Sequence, residues 1–346
     1  MKILSYFLLP MLVFAQGKTF KQFIQASTSD LIEQSSITHM AVAYGSIDSS
    51  NTILHFGEST TSSLYDLASL TKVFTSLLFV LLENESSLNR KSILFNSPRV
   101  TYEDLLRHRA GLPIGVVISS SDSAQDIWNK VFSMRPKSSL RGKFRYSDIN
   151  YILLGHHLTK RHGISLDKLL SRSILEPLGM KQTNFAANIN LKADCPRTAR
   201  LVQPCHVHDP TSSKLGSITG HAGLFSSIGD LVLLANEILL GLENRGQLLN
   251  KSLMSSILQK DRNGRFIGFD SETKYARRPT GNFSWSKNSF GHTGFTGTSL
   301  FIDPKSKSFL IILSNAVYKK TKGDLSKRKY FNYLEKASLN FTHLQK

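Results

Sequence analysis

Cysteine is nearly absent from this chain: Cys195 and Cys205 are the only two in 346 residues. That excludes a fold held by several bridges. It leaves one small disulfide loop in an oxidising compartment, or two thiols without a role. The stretch Cys205-His206-Val207-His208-Asp209 is rich in metal-ligating side chains, but its spacing matches no zinc pattern, because adjacent residues point in different directions. No metal and no cofactor is expected.

Acidic residues are also scarce, 25 Asp and Glu against 43 Lys and Arg, so the formal charge is +18. Such a surface favours association with an anionic cell wall or an acidic membrane surface, and equally describes a basic protein with no specific partner. Nucleic acid is not an expected partner, since there is no zinc finger, no helix-turn-helix signal and no basic motif interleaved with aromatics. No apolar run reaches the roughly 18 residues of a membrane helix. A phosphate-cradling loop with Gly-Lys-Ser/Thr is missing, as are carboxylates paired at useful spacing. No Ser-His-Asp order can be picked from the 11 histidines, and there is no internal repeat or linker.

What is present begins with an export pattern. Lys2 precedes an apolar stretch over 3–14, and Val13-Phe14-Ala15 offers a peptidase cleavage site. Residues 1–15 therefore read as a signal peptide, with a retained anchor as the alternative. Residues 16–346 read as one domain in the periplasm or outside the cell. The signal has no cysteine, which argues against a lipoprotein.

Apolar spacing predicts helices over 20–37, 73–82, 101–108, 149–158, 166–175, 230–240 and 251–259, with a basic amphipathic helix over 325–339. Strands are predicted over 40–47 and 52–56 and again over 298–302 and 309–314, the last pair joined by Asp303-Pro304-Lys305-Ser306. Strands at both ends and helices between give an α/β chain of the α+β type. Its antiparallel sheet is drawn from both termini and flanked by helices, with a mostly helical subdomain at roughly 85–240. Residues 114–145 are the least readable and have room for a cleft lid.

Three short motifs carry chemistry. Ser69 and Lys72 stand one helical turn apart at the head of the most apolar helix. A lysine kept neutral there could take the serine proton and make the hydroxyl a nucleophile. The same spacing recurs at Ser165/Lys168, Ser271/Lys274, Ser284/Lys287 and Ser326/Lys329, all in charged or turn-rich sequence. Tyr146-Ser147-Asp148 opens another helix; a lysine nearby would lower the phenol pKa and fit Tyr146 as a general base, whereas a structural tyrosine beside a capping aspartate is the plainer alternative. Gly291-His292-Thr293-Gly294-Phe295 precedes the last strand pair, where closely spaced glycines let a strand edge approach a ligand and aim a backbone N–H at an oxyanion. Gly220-His221-Ala222-Gly223 reads as structural, leading into a helix, with His221 satisfying local backbone groups.

Together and in this order, these segments resemble the serine β-lactamase-related family: class C β-lactamases, low-molecular-mass penicillin-binding proteins of the D-Ala-D-Ala carboxypeptidase kind, and related esterases. Leu105-Leu106-Arg107-His108-Arg109-Ala110-Gly111-Leu112-Pro113 resembles a further family segment, and Val207-His208-Asp209 with Gly220-His221-Ala222-Gly223-Leu224-Phe225 resembles the carboxypeptidase-like branch. The resemblance covers roughly 20–317. It implies an exported serine hydrolase that forms an acyl-enzyme on Ser69. Lys72 and Tyr146 would shuttle the proton, and the N–H groups of Ser69 and Phe295 would hold the oxyanion. Asp148, His292, Thr293, Gly294 and Phe295 would line the substrate. The substrate would be a small peptide or ester, with peptidoglycan as one source. Two departures bear on it. Asp148 stands where β-lactamases use asparagine, and an ionised carboxylate meets a substrate carbonyl badly. His292 stands where they use lysine, so a cationic cleft would depend on pH near 6.5. Both turn the expectation away from a class C-like β-lactamase, which stays as the alternative, alongside a penicillin- or wall-binding protein with little turnover.

Overall fold

The computed structural model describes residues 19–200, 202–270, 286, 288–318, 329, 330 and 333. The predicted signal peptide, the pairs Ser271/Lys274 and Ser284/Lys287, Ser326 of the pair Ser326/Lys329, and most of the predicted terminal helix lie outside the described residues. Lys329, Tyr330 and Tyr333 within that last segment are helical.

In chain order, α1 is Phe20–Glu33, followed by β1 (His39–Ser46), β2 (Thr52–Gly57) and β3 (Tyr65–Asp66). A 3-10 turn, Ala68–Leu70, leads into α2 (Thr71–Asn84). Then come β4 (Ile93–Asn96), β5 (Arg99–Thr101), α3 (Tyr102–Leu106), α4 (Ala124–Ser133) and α5 (Asp148–His162). The chain continues through α6 (Leu166–Leu170), the π turn Ser171–Leu175, α7 (Glu176–Leu178), β6 (Asn184–Phe185), α8 (Pro210–Lys214) and β7 (Leu224–Ser226). It ends with α9 (Ile228–Leu242), α10 (Lys251–Ile257), β8 (Phe290–Gly294), β9 (Thr298–Asp303) and β10 (Ser308–Ser314).

The main sheet has the order β2-β1-β10-β9-β8, with every neighbouring pair antiparallel. β1 lies beside β10, with Val42 opposite Ile312, so the first and last long strands meet at its centre as expected. β10 is buried along its whole length, and alternate residues serve different cores. Phe309, Ile311 and Leu313 join α2 and α9 in the larger core. Leu310 and Ile312 face α1, Tyr330 and Tyr333 on the other side. This period-two division is what a central strand covered on both faces requires.

Helix ends follow their caps. Thr19 and Gln22 form a capping box at α1, as do Thr101 and Asp104 at α3. Gly163 ends α5 in the left-handed region, where glycine carries no Cβ penalty. α2 is buried on nearly every side, including Phe74, Leu78 and Phe79. Each such side chain contributes about 1.5–3 kcal/mol by leaving water, which fixes the helix that carries Lys72. Residues 114–145 are more ordered than the sequence suggests. They hold α4, Ile114 O accepts from Asp148 N (2.8 Å), and Lys214 Nζ donates to Ser120 O (2.8 Å). Among the described residues no helix is long and apolar enough to cross a membrane.

Candidate active site

Ser69 sits where the chain turns sharply from β3 into α2. Ala68 before it has φ 46°, a left-handed conformation unusual for alanine. The turn is held from below by Asp66, whose carboxylate accepts from Ala68 N (2.8 Å) and His208 N (2.8 Å). Ser69 N–H therefore lies at a helix start, where amides have no acceptor within the helix and point outward.

Lys72 lies one turn on and is 1% exposed. Its ammonium donates to Ser69 Oγ (3.0 Å) and to the main-chain oxygen of His221 (3.0 Å), and pairs with Asp148 Oδ1 (2.8 Å). Burial by itself lowers its proton affinity. Asp148 and then Tyr146 outweigh burial and hold its proton affinity above that of an ordinary lysine. The expectation of a neutral lysine is thus overturned: a carboxylate in contact makes Lys72 a cation at rest.

Tyr146 lies with its ring 5.0 Å from Lys72 Nζ, its phenol within hydrogen-bonding reach of Ser69 and Lys72. Here too the direction differs from the sequence expectation. Full burial raises the phenol pKa, and the attraction of Lys72 only partly offsets it. The tyrosine is held by His108, whose ring lies 4.4 Å from it and whose Nδ1 accepts from Ser147 N (3.1 Å). With Nδ1 accepting, the hydrogen of neutral His108 is on Nε2. Burial, with Arg265 and Lys72 nearby, keeps His108 uncharged.

β8 is the edge strand facing this turn. Thr296 Oγ1 donates to Asp66 O (2.6 Å) and Thr298 Oγ1 to Leu67 O (3.0 Å), so the β8–β9 turn is tied to the backbone just before Ser69. Gly294 makes the approach possible. A Cβ there would lie 2.4 Å from Leu67 O and 2.0 Å from Thr298 Oγ1. Phe295 follows, its ring 54% exposed at the cleft rim and 5.2 Å from the ring of His208. His292 is buried, 6.1 Å from the Tyr146 ring, and its Nδ1 donates to Thr293 O (2.8 Å). Burial lowers its pKa to about 4, Asp270 opposing and Lys72 and Arg265 assisting. The expected change of charge near pH 6.5 is corrected accordingly: His292 is a neutral ring in the working range.

The structure thus gathers Ser69, Lys72, Tyr146, Asp148 and His292 around one point, with Thr293, Gly294 and Phe295 on the strand beside it. Asp148 faces Lys72 rather than standing free to meet a substrate. The segment 220–223 is more than structural filler, and it leads into β7 before any helix. Its His221 carbonyl binds Lys72, while the ring binds Asp209 (3.0 Å). Sequence reading missed this role because a main-chain oxygen has no signature. Cys195 and Cys205 are joined as a disulfide, and no group of three or more His, Cys, Asp or Glu among the described residues could hold a metal. Of the other Ser-x-x-Lys pairs, Ser165/Lys168 lies at the start of α6, directly after α5, with Ser165 at the helix N-cap.

A serine in the 3-10 turn that opens a buried helix, a buried lysine one turn on, and a tyrosine just before a second helix, all facing the edge strand of an antiparallel sheet, define a serine hydrolase of the β-lactamase fold. Comparison with known proteins agrees. A family model described as Beta-lactamase matches residues 31–333. A protein of Escherichia coli K12 named a D-alanyl-D-alanine carboxypeptidase is 29% identical over 311 residues, covering 75% of this chain and 70% of that protein. One with the same name from Salmonella gallinarum is 26% identical, covering 78% and 73%. Among solved structures, the D-amino acid amidase of Ochrobactrum anthropi SV3 superposes with a TM-score of 0.69 at 16% identity, covering 94% of this chain and 99% of that one. A class C β-lactamase gives 0.67 at 16%, covering 93% and 97%; these two likenesses concern the fold. The chain belongs to the β-lactamase family.

Proposed function

We propose that this protein is an exported hydrolase that cleaves small peptides of the D-Ala-D-Ala kind through an acyl-enzyme on Ser69. The observation that carries this is the contact of Ser69 Oγ with Lys72 Nζ at 3.0 Å, with the Tyr146 phenol beside both. Ser69 Oγ attacks the substrate carbonyl carbon and its proton passes to the Lys72–Tyr146 pair. The pair returns that proton to the leaving nitrogen, and water then releases the acyl group by the same route in reverse. At rest both members of the pair are protonated, so the pair must shed one proton before it can accept another. The N–H groups of Ser69 and Phe295 stabilise the oxyanion; losing one such donor costs about a hundredfold or more in rate. Peptide substrates accord with the carboxypeptidase names of the relatives in Escherichia coli and Salmonella. Export rests on the N-terminal pattern, and the basic surface suits a wall-bound substrate.

An ester substrate is the second reading, favoured by neutral His292. With its pKa lowered to about 4 it offers no cation for a peptide's terminal carboxylate. One set of incubations tests both. A labelled penicillin that forms a lasting adduct on Ser69 supports the peptidase. No adduct, with hydrolysis of p-nitrophenyl acetate that Ser69→Ala abolishes, supports the esterase. Full activity of Ser69→Ala toward every substrate refutes the acyl-enzyme.

A further inference from the structure

His221 is 1% exposed and held at both ring nitrogens. Nε2 meets Asp209 Oδ1 at 3.0 Å and Nδ1 meets Thr219 Oγ1 at 3.0 Å. Its neighbours are stitched to the first turns of α2: Gly220 O accepts from Thr75 Oγ1 (2.8 Å) and Leu224 N donates to Thr71 Oγ1 (3.3 Å). Between these stitches, the His221 carbonyl accepts from Lys72 Nζ. Asp209 is anchored in turn. It caps α8 by accepting from Ser212 N (2.7 Å), and the preceding residue, His208, donates its N–H to Asp66, which braces Ala68. A closed circuit therefore runs from Asp66 through Asp209 and His221 to Lys72 and back to Ser69.

The glycines explain why a side chain is needed. His221 is flanked by Gly220 and, two residues on, Gly223 with φ +108°. Glycine-bordered backbone does not hold its own conformation. Fixing the His221 ring at both ends orients the peptide unit whose oxygen meets Lys72.

We propose that Asp209 and His221 form a positioning pair that keeps Lys72 Nζ in register with Ser69 Oγ, acting through the His221 main-chain carbonyl. The inference rests on Ser69 being the nucleophile. Without the pair, the carbonyl drifts and Lys72, left to its contact with Asp148, loses its register with Ser69 Oγ. A misplacement of about 1 Å at such a centre can cost on the order of a hundredfold.

The test uses the full chain and p-nitrophenyl acetate, with single-turnover acylation and steady-state kinetics. Asp209→Ser retains a good helix cap but is too short to reach His221. Its acylation rate is expected to fall about ten- to a hundredfold at unchanged KM, with the melting temperature close to that of the parent. Asp209→Asn keeps both the cap and an acceptor for Nε2, and recovers most of the rate. Parental acylation in Asp209→Ser overturns the proposal, as does a loss in Asp209→Asn equal to that in Asp209→Ser, or a loss confined to KM. Ser69→Ala run alongside separates the two levels: if it still acylates, the nucleophile assignment has failed rather than the positioning pair.

Discussion

Replacing Asp148 by asparagine isolates the charge that holds Lys72 protonated. The two side chains meet at 2.8 Å, with Lys72 1% and Asp148 36% exposed. Because the carboxylate is partly in water, an effective dielectric of about 40–80 is appropriate, and Coulomb's law gives about 1.5–3 kcal/mol. That is about a ten- to hundredfold change in the proton equilibrium of Lys72. The amide oxygen introduced by Asp148→Asn can still accept from the ammonium, so geometry is kept while charge is lost. The sign is fixed by the raised proton affinity of Lys72 in the fold. Wherever Asp148 is ionised, the ion pair stabilises the protein below the ordinary lysine range, and that contribution is lost as pH rises through the higher folded value. Asp148→Asn should therefore melt at lower temperature at pH 7, with the difference shrinking in strong alkali. For catalysis the effect is opposite. The Lys72–Tyr146 pair sheds its excess proton more readily, so the rising limb of kcat/KM for p-nitrophenyl acetate should move about one to two pH units toward acid. A limb that stays in place, or moves toward alkali, would show that Lys72 is not part of the titrating base.

Two further outcomes follow from the geometry. Gly294→Ala places a Cβ 2.4 Å from Leu67 O and pushes the β8–β9 turn off the Ser69 turn; acylation should fall about a hundredfold or more, and parental rates would refute the oxyanion assignment. Asp66 is buried and its pKa is raised to about 6, chiefly by desolvation, with the N–H groups of His208 and Ala68 opposing. Its protonated form is the one the fold prefers, so its stabilising contribution is present below about pH 4 and lost as pH rises through about 6. Stability measured by urea unfolding at pH 7 and pH 5 should show a gain on acidification of about 1 kcal/mol in the parent that is missing in Asp66→Asn.

Much of this site was legible because it is carried by side chains at helical or strand spacing. Ser69 and Lys72 had to share a face once 73–82 was helical, and the apolar content of that stretch left no other reading. The strands over 40–47 and 309–314 were equally plain, since 309–313 is an unbroken apolar run, as in a strand covered on both faces. What misled was charge. Lysine, tyrosine and histidine were each assigned the state useful to catalysis. The structure sets those states by burial and by one carboxylate, Asp148, whose direction is not written in the motif. Residues 114–145 were obscure because their order comes from contacts made by Lys214 and Asp148, remote in sequence.

Local sequence dictated which elements form and which residues are chemically able to act, because hydrophobic spacing, caps and glycines operate over a few residues. It also carried the choice of Ser69 over its look-alikes, since that pair heads the buried helix. The protonation of Lys72, Tyr146 and His292 and the use of the His221 carbonyl came instead from the assembled fold. Proton affinity depends on desolvation and on charges a few ångströms away, and those neighbours come from distant parts of the chain, as Lys72 does for His292.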